Sequence, residues 1–368
     1  MIRRPRYGRK LDDFLIGDVY DHPWAMTVDS GLLALWQASF LDANPLYTSL
    51  EYARMLGYSN RVVPPSLVLN LGLSFSVHDI SQQAIAHLAY LDVRFPEPLY
   101  PGDTFRAYSE VLGVKASQKD PSRGTVHVRT VGLNQHGNAV LTFERKALIR
   151  AGRVEGRPNT AVRTLSELEA ARFGELPYAP ANAMAQADAA TGQGQPFCFE
   201  DVAEGDIFCH DTGRTIGASE HMMLTSLVRN SHPLHFDQGY CTENSFTKEP
   251  VVYGGLVLSW TLAMASWDLG GNVLWELGLD AGAHPAPVAA GDTLYAASKI
   301  LRANRTSRYT GELEIRTVGV KNRHPMELIE AGRDLFTPER SKTKKKDKVP
   351  EKVLEITRSV LLRQRGDA

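Results

Sequence analysis

An internal repeat about half the chain long limits what this sequence can fold into. DDFLIGDVYDH (12–22) returns as FEDVAEGDIFCH (199–210), with Gly17-Asp18 over Gly205-Asp206 at an offset of 188. NPLYTS (44–49) matches HPLHFD (232–237) at 188, and RVVPPSLVL (61–69) matches PVVYGGLVL (250–258) at 189. PGDTFRAYSEVL (101–112) matches AGDTLYAASKIL (290–301) at 189, and HVRTVGLNQHG (127–137) matches EIRTVGVKNRH (314–324) at 187. Five blocks in one order and almost one register describe a duplicated unit. The expected organisation is a first domain over 1–150, a linker over 151–196 and a second domain over 197–368.

Both copies carry the same pattern. A short strand and turn lie at Gly17 and Gly205, followed by amphipathic helical stretches near Ser30–Leu41 and Ser219–Val228. A Pro-containing irregular segment leads to a largely apolar stretch that opens at Pro65 or Gly254 and is long enough for a buried helix. Three or four strands follow. VHVRTVGL (126–133) and ELEIRTVGV (312–320) alternate apolar and polar residues, the period of a half-buried antiparallel strand. AVLTFERKALIR (139–150) and KVLEITRSVLLR (352–363) supply matching last strands. One long helix and a curved antiparallel sheet, twice, is an α+β architecture. In the linker only TLSELEAARF (164–173) reads as helical, with Thr164 and Glu167 as a capping box. ERSKTKKKDKVPEK (339–352) holds six lysines and reads as a solvated hairpin tip, with contact to an anionic ligand as the alternative. Trp36, Trp260, Trp267 and Trp275 read as core residues.

Composition excludes several classes. Lys plus Arg number 41 against 42 Asp plus Glu, so the basic excess of a nucleic-acid binder is missing. No apolar run reaches the ~20 residues that span a bilayer. The start, MIRRPRYGRKLDDF, is basic without an apolar stretch behind it, unlike a secretory signal. Three cysteines do not make a disulfide framework, and a reduced cytoplasmic setting is expected.

Several motifs carry a family likeness. LDANPLY (41–47), RNSHPLHFD (229–237) and VVYGGLVLSW (251–260) resemble the signature of the MaoC-like R-specific enoyl-CoA hydratases, roughly G-D-x-N-P-x-H-x-D before a small-residue run opening a central helix. YPGDT, SEHM, VHDIS and VVYGG look more narrowly like mesaconyl-CoA hydratases, also called β-methylmalyl-CoA dehydratases. The resemblance implies a tandem (double) hotdog fold, a lyase activity adding water to an enoyl-CoA with R stereochemistry, and no metal. It implies no cofactor beyond the coenzyme A of the substrate. It is compatible with a homodimer of double-hotdog subunits.

The departures from the family pattern matter. The first copy keeps Asp42 and Asn44 but has Tyr47 at the place of the catalytic His. The second keeps His235 and Asp237 but has Asn230 for Asp and His232 for Asn. Hydration needs a base for water, a proton at Cα and donors for the developing thioester oxyanion. Gly254 and Gly255 open a helix whose N–H groups suit that oxyanion, whereas Pro65 in the first copy has none to give. The second copy is therefore expected to be catalytic, with His235 as general base, Asn230 orienting water or the thioester oxygen, and Asp237 either fixing the His tautomer or capping a helix. Tyr253, Gly254 and Gly255 are the expected substrate-binding and oxyanion residues. Glu220 reads as a first-turn helix charge, and Asp42 as an outside candidate for the missing carboxylate. His232 and His235 with Cys241 or His221 lack the spacing of a zinc site. Arg229, Arg94 and Arg61 are candidates for holding a substrate carboxylate. A hotdog thioesterase and a non-catalytic acyl-CoA-binding protein are the competing readings.

Overall fold

The computed structural model describes residues 8–154, 162–168, 170–172 and 197–365. The first copy contributes β1 (Val19–Thr27), β2 (Ala84–Arg94), β3 (Thr104–Ala116), β4 (Arg123–Leu133), β5 (Ala139–Arg150) and the two-residue β6 (Val162–Arg163). The second contributes β7 (Ile207–Thr215), β8 (Val273–Ala283), β9 (Thr293–Arg305), β10 (Thr310–Lys321) and β11 (Lys352–Arg363). They form one 11-stranded sheet in the order β6-β1-β3-β4-β5-β2-β8-β11-β10-β9-β7. Apart from β6, that order is a palindrome of the repeat. The join is antiparallel, with Tyr90 opposite Gly282 and Val93 opposite Leu279. β5 and β11 coincide with the two last strands expected from the sequence, and β5 buries alternate residues as a period of two requires.

The two central helices, Pro65–Phe75 and Gly254–Leu269, pack against the sheet and against each other. Both are apolar almost all round, as a helix enclosed on every side must be. Where they cross, the Asn70 amide donates to the Gly255 carbonyl at 3.1 Å and to the Ser259 hydroxyl at 3.0 Å. A single apolar cluster takes Leu67, Phe105 and Leu141 from one copy and Leu256, Trp260 and Ile356 from the other. The copies are therefore two halves of one core.

A buried polar chain recurs in each half. His22 Nδ1 donates to Asp79 at 2.8 Å, and its Nε2 is hydrogen-bonded to the Ser109 hydroxyl at 2.8 Å, which meets Thr130. His210, Asp268, Ser298 and Thr317 repeat this arrangement. The chain ties β1, β3 and β4 to the far end of the central helix. Its exposure differs between copies: the Asp79 side chain is 2% exposed and that of Asp268 42%. Removing His22 takes one donor from a dry carboxylate, with Arg9 still donating at 2.9 Å, whereas removing His210 leaves a carboxylate that water can reach. His22→Ala is therefore expected to cost about 1–3 kcal/mol, and His210→Ala distinctly less. The shift in urea unfolding midpoint checks this.

Three expectations need correction. Within 164–173 the described residues form one 3-10 turn, Leu165–Glu167, with Glu167 capping Thr164, and no helix longer than that turn. Most of the rest of 151–196 lies outside the described residues. The lysine-rich segment is not simply a solvated tip. Lys342 and Lys352 are buried and pair with Glu339, and Lys352 also meets Glu355. Trp267 is 55% exposed, at the end of the second central helix, with its indole N–H donated to the Leu41 carbonyl.

Candidate active site

The palindromic sheet creates two equivalent clefts. Each lies between one copy's loop and central-helix N-terminus and the other copy's first and last helix-flanking strands. The cleft of the second copy is a cavity of about 280 Å³ lined by Asn230, His232, His235, Tyr253 and Gly254 on one side and by His87, Tyr90 and Arg145 on the other. The cleft of the first copy, at Asp42, Tyr47 and Pro65, holds about 20 Å³.

The loop before the helix is built the same way in both copies. Asn44 accepts the Leu46 N–H on its Oδ1 and donates its amide to the Val273 carbonyl at 3.0 Å. His232 reproduces this with an imidazole: Nδ1 accepts the Leu234 N–H at 3.1 Å, and the other nitrogen reaches the Ala84 carbonyl. Pro45 and Pro233 follow as first-turn residues. His232 therefore replaces the family's Asn as a cap, which uses up both its nitrogens. Asn230 accepts the His232 N–H on Oδ1 at 3.0 Å, as Asp42 does for Asn44. Its amide NH₂ is the group left to offer a ligand.

His235 is buried in the cavity wall, and its Nδ1 lies 2.9 Å from the Val251 carbonyl. A carbonyl can only accept, so Nδ1 carries the proton and Nε2 presents a lone pair. Burial lowers the imidazole from 6.5 to about 3, so it is neutral at ordinary pH. Tyr253 is the residue before the helix, its ring 5.4 Å from that of His235. Its hydroxyl has no hydrogen-bond partner but lies toward Ser74 and Asn230, and burial pushes it up to about 12, so it remains a donor. As the first two helical residues, Gly254 and Gly255 have N–H groups the helix cannot use.

The structure gives the glycines a different reason from ligand approach. A Cβ on Gly254 would lie 2.8 Å from the His284 ring, and one on Gly255 would lie 2.2 Å from Asn70. They are needed for protein packing, and of the two only Gly254 lines the cavity. His284 is itself fixed, with Nδ1 donating to the Val353 carbonyl and Nε2 accepting from the Tyr90 hydroxyl at 3.1 Å.

Other expected residues fall elsewhere. Asp237 is exposed and caps the helix Gln238–Asn244 by accepting the Tyr240 N–H at 2.9 Å, so it holds no His tautomer. The Val251 carbonyl does that. Glu220 pairs with Arg214 and caps its own helix. Asp42 lines the other cleft and cannot supply a carboxylate here. Arg94 is a surface residue paired with Asp92, and neither Arg61 nor Arg229 lines the cavity. The sequence reading missed His87, Tyr90, Arg145 and His284. Among the described residues, no group of three or more His, Cys, Asp and Glu is placed to hold a metal.

The mesaconyl-CoA hydratase family profile matches residues 4–326. A mesaconyl-CoA hydratase from Cereibacter sphaeroides is 34% identical over 316 residues, 86% of this chain and 90% of the relative. A β-methylmalyl-CoA dehydratase from Chloroflexus aurantiacus is 32% identical over 319 residues, 86% and 89%. A crystal structure of a MaoC domain protein dehydratase from Chloroflexus aurantiacus, described as putative, superposes with a TM-score of 0.82 at 30% identity, over 98% of both chains. A conserved hypothetical protein from Mycobacterium tuberculosis with a double hotdog fold has a TM-score of 0.71 at 23% identity. The fold is thus that of the MaoC-like double hotdog proteins, and the protein is a hydro-lyase acting on enoyl-CoA thioesters. Within that class, the chain belongs to the mesaconyl-CoA hydratase family. No helix among the described residues is long and apolar enough to cross a membrane.

Proposed function

We propose that this protein interconverts mesaconyl-CoA and β-methylmalyl-CoA in the second-copy cavity. The observation that carries the mechanism is the bare Nε2 of His235, held neutral and oriented by the Val251 carbonyl. In the hydration direction the Asn230 amide holds a water by its oxygen. Nε2 takes a proton from that water as it attacks Cβ. The thioester oxygen, where negative charge collects, accepts from the N–H groups at the start of the helix Gly254–Leu269. The proton held on Nε2 then passes to Cα on the same face. One base thus serves both transfers, which answers the missing carboxylate at 230. No metal or redox cofactor enters these steps, and coenzyme A is part of the substrate.

The same reading assigns the first-copy cleft a structural role. Its helix opens with Pro65, Tyr47 stands where His235 does, and a buried Glu276–Arg358 pair occupies the space. The test is loss of the enoyl-thioester absorbance with mesaconyl-CoA beside crotonyl-CoA. Turnover of mesaconyl-CoA is expected at a kcat/KM of about 10⁴ M⁻¹s⁻¹ or more, with free mesaconate inert. Hydrolysis to free coenzyme A without hydration would instead mean a thioesterase, and binding without turnover a non-catalytic binder.

A further inference from the structure

Arg145 is 4% exposed, and among the described residues it is the only formally charged side chain lining the cavity; neither Asp nor Glu lines it. One guanidinium nitrogen donates to the Ser76 hydroxyl at 2.9 Å and approaches Ser81 at 3.4 Å. Its Nε is buried without a hydrogen-bond partner, and no carboxylate among the described residues pairs with it. An uncompensated buried charge is costly, and evolution ordinarily neutralises it with a partner. Burial lowers Arg145 only to about 10, so it stays a cation at neutral pH.

The repeat shows what an arginine in this place does. Arg145 is the seventh residue of β5, and Arg358 is the seventh residue of β11, its equivalent across the palindrome. Arg358 makes a two-pronged contact with Glu276 through Nε and Nη2. Glu276 is the fourth residue of β8, and the fourth residue of β2 is His87. Burial drives His87 far below its usual value, so it is neutral. The first-copy cleft therefore holds its own carboxylate on the arginine and is nearly filled. The second-copy cleft keeps the arginine, lacks the carboxylate and is open.

We propose that Arg145 binds a carboxylate on the acyl group of the thioester, in the position Glu276 takes in the other cleft, and so selects dicarboxylic over monocarboxylic acyl chains. This rests on the reading of the cavity as the acyl site of a hydratase. The anion belongs to the acyl group because Arg145 and His235 line one cavity of about 280 Å³. The pantetheine arm keeps the CoA phosphates many bonds from the thioester, too far to share it. Ser76 and Ser81 take N–H bonds from one guanidinium nitrogen, and the N–H groups they leave unused are charge-assisted donors for a carboxylate.

Saturated thioesters test this apart from the chemistry, since they cannot be hydrated. Calorimetry would compare succinyl-CoA with butyryl-CoA in the wild-type protein, Arg145→Gln and Arg145→Lys. The wild type should bind succinyl-CoA about 10²-fold more tightly, the usual cost of stripping one partner from a buried charged pair. Arg145→Gln should lose that preference while binding butyryl-CoA within about threefold of wild type, and Arg145→Lys should keep part of it. No preference in the wild type, or one that survives in Arg145→Gln, overturns the proposal. If Arg145→Gln binds neither thioester, Arg145→Lys decides: an undiminished preference overturns the proposal, and a reduced one supports it. An Arg145-dependent preference in a protein that hydrates no enoyl-CoA would leave the carboxylate site standing and remove the hydratase reading. Hydration of mesaconyl-CoA with no Arg145-dependent preference would do the reverse.

Discussion

His235→Gln is expected to lower kcat by about 10²–10⁴-fold with a much smaller change in KM, the worth of a positioned general base. Glutamine puts a polar amide that is no base near the place of Nε2, so a loss confined to kcat reads proton transfer and not loop geometry. Tyr47→Phe, at the equivalent place in the first copy, should change turnover by less than about threefold, since that cleft is nearly closed. Asn230→Asp separates two roles. The carboxylate can still accept the His232 N–H, as Asp42 accepts from Asn44, but it cannot donate to water. It also places a negative charge near His235, which raises the imidazole from about 3 and moves the acid limb of kcat/KM upward. A rate kept or increased in this variant would mean that Asn230 only fills the family's Asp position. A severe loss would mean that its amide is the water donor. Activity abolished by Tyr47→Phe and untouched by His235→Gln would place the chemistry in the other half.

The architecture was legible because it is written twice. Constant offsets, two-residue alternation in β4, β5, β10 and β11, and the start of each central helix all depend on local pattern. That His235, Asn230 and Tyr253 share one cavity was legible because they sit in or beside a motif. His87, Tyr90, Arg145 and His284 were missed because they reach the cavity from strands and a loop outside that motif, three of them in the opposite copy. A signal existed for Arg145. In AVLTFERKALIR it falls in phase with Phe143, Ala147 and Ile149, on the buried face, where a lone arginine needs a reason. Aligning that strand with KVLEITRSVLLR places Arg145 over Arg358, although the offset there is 213 instead of 189 because the connection before β11 is longer. For Asp237 the sequence left two roles open, tautomer holder or helix cap, because a motif cannot say which face of a turn a carboxylate takes. Here it takes the capping position, which stabilises the helix without facing substrate.

Lowering the pH should destabilise the protein steeply before most carboxylates titrate. Burial holds His232 near 4, His235 near 3 and His284 near 4, against 6.5 in an unfolded chain. Between pH 6.5 and about 4 the unfolded chain therefore binds up to three protons that the folded one refuses, so stability falls as pH falls. His87, also driven down by burial, acts in the same sense. Asp42 and Glu276 oppose them, since burial raises Asp42 from 3.8 to about 6 and pushes Glu276 up as well, so the folded state takes those protons first. Each proton of net uptake on unfolding corresponds to about 1.4 kcal/mol per pH unit, set against the roughly 5–15 kcal/mol that holds a domain together. Urea midpoints at pH 7.5 and 5 should differ widely. His284→Gln, which can still accept from Tyr90 and donate to the Val353 carbonyl, should lessen the difference by removing one of these protons. A midpoint flat over this range would mean that the cavity imidazoles are already protonated in the fold. His235 would then lack the lone pair that the proposed hydration requires.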